Sequence, residues 1–192
     1  ITAGSAVACP EVYDMADALL YVWYPGEQGG AAVGDVIFGD VSPSGKLPLT
    51  FPYQVEDLPP YEDYTMKNRT YRYMEKAPLF PFGFGLSYTQ FRFSELKLSE
   101  KEIKAGESVE VEVQVTNTGS VKGEEVVQLY LTDQEGSAAL PQYALKGFQR
   151  ISLWPGASKK VRFTVTEEML KMVNEAGEKV LEPGKFTIRV GN

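Results

Sequence analysis

The chain has 192 residues, 43% of them apolar, a formal charge of −7 and no histidine. The missing histidine excludes a Ser-His-Asp triad, a Cys-His pair and any His-ligated metal, and the single cysteine, Cys9, excludes an intrachain disulfide and Cys-cluster metal sites. An acidic chain without a basic stripe is a poor partner for nucleic acid or an anionic membrane, and the longest apolar run, about Ala18 to Tyr24, falls far short of the roughly 20 residues that span a bilayer.

Taken in chain order, the opening ITAGSAVAC has small residues before Cys9 in the manner of a lipoprotein signal. It lacks a positive region and is too short for an apolar one, so no lipid anchor is expected. Ile1 to Ala8 is expected to include the end of a buried strand, and Cys9 reads as a small core residue. ALLYVWY (18–24) is a continuous apolar run of the kind buried on both faces of a parallel sheet. A Gly-rich loop, Pro25 to Gly30, leads into AAVGDVIFG, where Ala32, Val33, Val36 and Ile37 share one helical face and Gly39 ends the helix. A short strand is expected at LPLTF (47–51). This strand–loop–helix unit supplies too few neighbours for a strand buried on both faces, so residues 1–90 read as the C-terminal part of a larger α/β domain followed by an extended linker.

Between Pro43 and Phe91 proline and tyrosine are frequent and no helical period appears, which indicates irregular extended backbone. A domain boundary is expected near residue 90. Residues 1–90 carry five Lys and Arg against eleven Asp and Glu, whereas residues 91–192 carry fourteen against fifteen.

Residues 91–192 read as an all-β sandwich of the immunoglobulin or fibronectin type III kind. An opening strand is expected at Phe93 to Leu98. SVEVEVQVTN (108–117) then alternates strictly, with Val109, Val111, Val113 and Val115 on one face and Glu110, Glu112 and Gln114 on the other. EVVQLYLT (125–132), LKGFQRISL (145–153), KKVRFTVT (159–166) and KFTIRVG (185–191) repeat the pattern, separated by Gly106-Glu107, Thr118-Gly119, Pro155-Gly156 and Pro183-Gly184 turns. A short helical turn is expected around Met169, Leu170 and Val173. Tyr130, Phe148, Phe163 and Phe186 sit within alternating apolar runs and are expected mostly in the core.

No motif supplies a complete catalytic set. Gly26, Gly29, Gly30 and Gly34 lack the Lys-Ser/Thr of a phosphate loop and the spacing of a dinucleotide fingerprint, and Glu27 would repel phosphate. Glu27 follows a buried strand, where ligands often bind, so it is a candidate substrate contact; capping or packing of the loop is the plainer role. The acid pairs Glu56-Asp57 and Glu62-Asp63 flank a Pro-rich stretch and are expected to be solvated rather than catalytic. Tyr61, Tyr64, Tyr71 and Tyr73, with Arg69 and Arg72, suit either stacking on sugar rings or fastening of the segment to its own domain, and fastening is favoured. Asn68-Arg69-Thr70 is a glycosylation sequon, a weak signal alone.

YVWYPGEQGGAAVGDVIFGDVSPSGKLPLTFP (21–52), RTYRYM (69–74) and PLFPFGFGLSYTQF (78–91) closely resemble the C-terminal region of glycoside hydrolase family 3. LKGFQRISLWPG (145–156) and VLEPGKFTIRVG (180–191) resemble that family's fibronectin type III-like domain. The resemblance keeps the family's order over nearly the whole chain. It implies a retaining β-glucosidase or β-xylosidase acting on terminal sugars of oligosaccharides or β-glycosides, with no cofactor and no metal. It also implies that both catalytic carboxylates lie upstream, on an N-terminal barrel and an earlier part of the α/β domain. No catalytic residue is therefore carried over; Glu27, Arg69 and Tyr71 are the candidate substrate-binding residues. The barrel and the rest of the α/β domain are the implied partners, with an extracellular or periplasmic location favoured over a cytoplasmic one. A homodimer through the sandwich or the 53–77 segment is compatible with the sequence, which favours neither state. The competing reading is a non-catalytic carbohydrate- or protein-binding β-sandwich module.

Overall fold

The computed structural model describes residues 1–191, which form two compact units, one from Ile1 to Leu86 and one from Ser87 onward. The first unit holds α1 (Pro10–Met15), α2 (Gly29–Phe38), a 3-10 turn at Val55–Asp57 and α3 (Thr70–Tyr73), joined by long irregular stretches. Helix α2 covers the expected helix and stops at Gly39, whose φ of 85° is left-handed and free of strain only without a Cβ.

The three strand segments expected in this unit, within Ile1 to Ala8, at 18–24 and at 47–51, do not form as ladders. The apolar run 18–24 has no strand assignment; its backbone bonds tie Leu20 O and Val22 N to Ile1 N and O, and Trp23 turns out of the extended region at φ 54°. A strand buried on both faces needs a partner along each edge, and the one rung with Ile1 is too little to make one. At 47–51 a single bridge joins Phe51 to Phe80, with further bonds from Leu47 N to Phe84 O and from Gly83 N to Leu47 O. Pro48, Pro52 and Pro81 carry no N–H, which interrupts any regular ladder there.

Aromatic packing holds this unit instead. Phe51 is fully buried and meets Tyr21 edge-on at 5.0 Å, Trp23 at 6.4 Å and Phe80 at 6.2 Å, while Tyr13 meets Phe80 at 5.3 Å. Edge-to-face rings of this kind add about 0.5–1.5 kcal/mol per pair beyond burial. Cys9 is buried, as expected for a small core residue.

The second unit is a sandwich of two three-stranded antiparallel sheets. β1 (Phe91–Leu98), β2 (Val109–Asn117) and β5 (Ser158–Val165) form one in the order β1-β2-β5. β3 (Gly123–Asp133), β4 (Ala144–Leu153) and β8 (Phe186–Gly191) form the other in the order β4-β3-β8. A turn of helix, α4 (Glu167–Leu170), and a small hairpin, β6 (Met172–Val173) with β7 (Lys179–Val180), precede β8.

The alternation in β2 becomes the core: Val109, Val111, Val113 and Val115 are buried beside Val127, Leu129, Leu131, Ile151, Leu153, Val161, Phe163 and Val165. Each such side chain is worth about 1.5–3 kcal/mol on burial. On the opposite face of β2, Glu112 takes Lys160 Nζ at 2.8 Å and Arg162 Nε at 2.7 Å from β5. β1 is interrupted between Ser94 and Lys97, with Glu95 at φ 54°. Along β5, Lys159 pairs with Val115 and stands in line with Val161, Phe163 and Val165, so that strand carries one cation on its core-facing row.

One buried polar residue ties the sandwich end together. Asn117, 0% exposed, accepts from Thr89 Oγ1 at 2.6 Å and from Gly119 N at 3.0 Å. Its amide donates to Val121 O at 2.8 Å and Leu153 O at 3.0 Å. The side chain is thus satisfied on both ends, which is what lets an amide sit in a core of valines.

Candidate functional site

The candidate residues of the first unit stand in two places. Glu27 is exposed in the turn before α2, next to Gly26 at φ 72° and Gln28, the residue that caps the helix. Among the described residues no hydrogen bond or ion pair joins it to Arg69 or Tyr71. It stands one residue before the N-cap of a ten-residue helix, near the positive end of the helix dipole, an ordinary place for an acidic residue.

Arg69 and Tyr71 lie on the other segment and are engaged within it. The Arg69 guanidinium donates to Pro60 O at 2.7 Å and to Asp63 O at 2.9 and 3.1 Å, clasping the 60–69 loop. Tyr71 stacks on Phe82 with centroids 4.1 Å apart, and the Arg72 guanidinium lies 6.0 Å over the Tyr71 ring. Three residues of the same loop, Met66, Asn68 and Thr70, hold left-handed backbone, which costs most for the β-branched Thr70. The Asn68 side-chain oxygen is buried without a partner.

The acid pairs split. Glu56 and Glu62 are exposed as expected. Asp57 is sheltered, takes Lys76 Nζ at 2.7 Å, and that ammonium hydrogen bond holds its carboxyl below the usual range. Asp63 accepts from Thr65 N at 2.9 Å and is likewise held down by the Thr65 hydrogen bond. Both therefore favour the ionised form, the opposite of a general acid poised near neutrality. A depression of about 420 Å³ between Ala8, Glu11, Asp14, Tyr53 and Glu56 is lined by three carboxylates with no opposing cation. Among the described residues no group of three acidic or cysteine side chains is placed to hold a metal ion, and no helix is long and apolar enough to cross a membrane.

Several aromatics that the sequence placed in fastening or core roles turn outward. Tyr61 and Tyr64 are 83% and 80% exposed on the clasped loop. In the sandwich Phe163 and Tyr130 are buried and Phe186 half-buried, whereas Phe148 is 67% exposed, the exception among four aromatics expected mostly in the core. Phe148 pairs with Gln128 and takes the outer row of β4, whereas the core row runs through Ile151 and Leu153. Arg150 and Ser152 share that outer row, so the charge pattern of β4 already marked Phe148 as outward.

The two units define a class of chain: a portion of an α/β domain followed by a fibronectin type III-like sandwich. Residues 1–88 match the glycosyl hydrolase family 3 C-terminal domain, and residues 125–192 match the fibronectin type III-like domain. The chain belongs to glycosyl hydrolase family 3. It is 46% identical over 179 residues to a β-xylosidase of Formosa agariphila, an alignment covering 91% of this chain and 25% of that protein. It is 41% identical over 200 residues to a periplasmic β-glucosidase of Salmonella typhimurium, covering 98% and 26%. Among solved structures, a β-glucosidase from Erythrobacter marinus superposes with a TM-score of 0.87 at 38% identity, over 99% of this chain and 25% of that one. The chain thus spans about a quarter of the length of these relatives.

Proposed function

We propose that this chain is the C-terminal part of a retaining β-glycosidase that hydrolyses terminal β-glucosyl or β-xylosyl residues. Near-complete coverage of the chain by a quarter of a β-xylosidase and of a β-glucosidase carries this reading. Residues 1–90 complete the α/β domain beside the active site and continue into an extended linker; residues 91–192 are the docked sandwich. The nucleophile and the acid/base, about 5–5.5 Å apart in retaining enzymes, belong to upstream sequence, on an N-terminal barrel and the remaining α/β domain. Those parts and a β-glycoside or oligosaccharide are the partners. The periplasmic relative supports a periplasmic or extracellular home.

In this reading Glu27 remains the candidate for a sugar hydroxyl, being exposed and unengaged, while Arg69 and Tyr71 act by holding the 60–86 region in shape. The test is an assay of the purified chain on p-nitrophenyl β-glucoside and β-xyloside, with intact-mass spectrometry of the same sample. No turnover is expected from a single 21.3 kDa species. Turnover by that species, free of any larger polypeptide, overturns the assignment of the catalytic groups to upstream sequence.

A further inference from the structure

The outer face of sheet β4-β3-β8 has a composition unlike the rest of the chain. Along β4 and its exit the outward row reads Phe148, Arg150, Ser152, Trp154, and the two aromatic ends are 67% and 66% exposed. Six residues at about 3.3 Å each put them roughly 20 Å apart. The backbone of Trp154 is set in a bonded turn, with Ala157 N donating to Trp154 O at 3.0 Å and Gly156 N to Asn117 O at 2.9 Å. The Lys122 ammonium lies 5.0 Å over one indole face, leaving the other outward. Arg150 is ion-paired to Glu124 on β3, and Arg189 on β8 sits over the Tyr143 ring.

Among the described residues of strands β3, β4 and β8 with their exits, the outward rows carry Lys122, Arg150 and Arg189 against Glu124, although the chain as a whole carries −7. Two flat rings separated by charged and hydroxyl side chains do not make the continuous apolar centre that a protein partner needs. They do match a chain of pyranose rings, whose C–H faces stack on aromatic planes while hydroxyls meet the polar groups between. The local positive excess adds a preference for sugars bearing carboxylates.

We propose that this face is a binding strip for an acidic β-linked polysaccharide, a glycan with uronic acid substituents, lying along β4 from Phe148 to Trp154. The choice of a β-glycan rests on the glycosidase reading, but binding is measured without turnover, so the two fail separately. The test is affinity electrophoresis of the intact chain in native gels containing glucuronoxylan, the same polymer after carboxyl reduction, or heparin. Glucuronoxylan is expected to retard the wild type, the reduced polymer to retard it less, and heparin not to retard it. Phe148→Ala with Trp154→Ala abolishes the retardation, and Lys122→Gln removes the preference for the acidic polymer; all these side chains are on the surface, and unchanged melting temperatures verify folding. Absence of retardation, retardation that survives the double substitution, or equal retardation by heparin overturns the proposal. So does a dimer in size exclusion that the double substitution converts to monomer, because the strip is then a contact between copies.

Discussion

Asn117→Ala removes four hydrogen bonds at once, and the structure allows its cost to be worked out. The Thr89 hydroxyl and the Leu153 carbonyl lie in buried surroundings, whereas Gly119 N and Val121 O are half-buried and recover water. A net loss of about 1 kcal/mol for each bond, with the two buried partners at the upper side, gives about 4 kcal/mol. That is a large share of the roughly 5–15 kcal/mol that stabilises a domain. Because the chain has two units, a global unfolding curve blends them, so amide hydrogen exchange on the intact protein is the better assay. The slowest amides of β2 and β5 should exchange roughly 700-fold faster in the variant, since each 1.4 kcal/mol is a factor of ten. Thr89→Val, which removes one of the four bonds, should move the same amides by about tenfold or less. A change below tenfold for Asn117→Ala would falsify the claim that this amide latches the sandwich end.

Leu129→Ala, at a fully buried site between β4 and β8, should cost about 2–5 kcal/mol, read from the same amides. Gly85→Ala sets a Cβ 2.1 Å from Gly45 O, a clash with backbone that side-chain rotation cannot relieve, and should make the first unit sensitive to limited proteolysis while exchange in the sandwich stays unchanged. Arg69→Ala should raise amide exchange across residues 60–66 without altering β2; unchanged exchange there means the three guanidinium bonds do not hold the loop. Glu112 is held below the ordinary carboxylate range by hydrogen bonds from Lys160 and then Arg162, so its contribution is present at neutral pH and disappears as pH falls through its lowered folded value. The stability difference between wild type and Glu112→Gln should therefore be flat near pH 7 and shrink on acidification; a difference that grows toward low pH refutes the sign.

The sandwich was legible because its strands carry charges on one row and valines on the other, as in Glu110, Glu112 and Val109 to Val115. That pattern fixes the parity without any tertiary information. β4 carries the same kind of marker, since Lys146, Arg150 and Ser152 share the row of Phe148 in LKGFQRISL; weighing Phe148 by residue type, with the other aromatics expected mostly in the core, overlooked that row. In the first unit helix α2 was readable from its period and from Gly39, but the flanking strands were not, because a ladder depends on neighbours that local sequence does not specify. The tyrosines around Arg69 divided for a similar reason. Tyr71 found Phe82 and lost its surface, while Tyr61 and Tyr64 in the same composition stayed outside. Residue type announced an aromatic cluster, and only packing separated its anchors from its exposed members.

Lys159 has a bearing on how the sandwich behaves in company. β5 is a sheet edge, and its row of core-facing positions would be an inviting template for a strand from another molecule if valine or phenylalanine filled it throughout. A copy adding itself to that edge and closing over the row would entomb the ammonium at position 159 without a counter-ion, at a cost that hydrogen bonds along the edge do not return. On the far side of the same sheet the break in β1 at Glu95 bends the other edge out of register. The sheet is thereby closed to growth in both directions, so filament-like stacking through it is disfavoured even at high protein concentration.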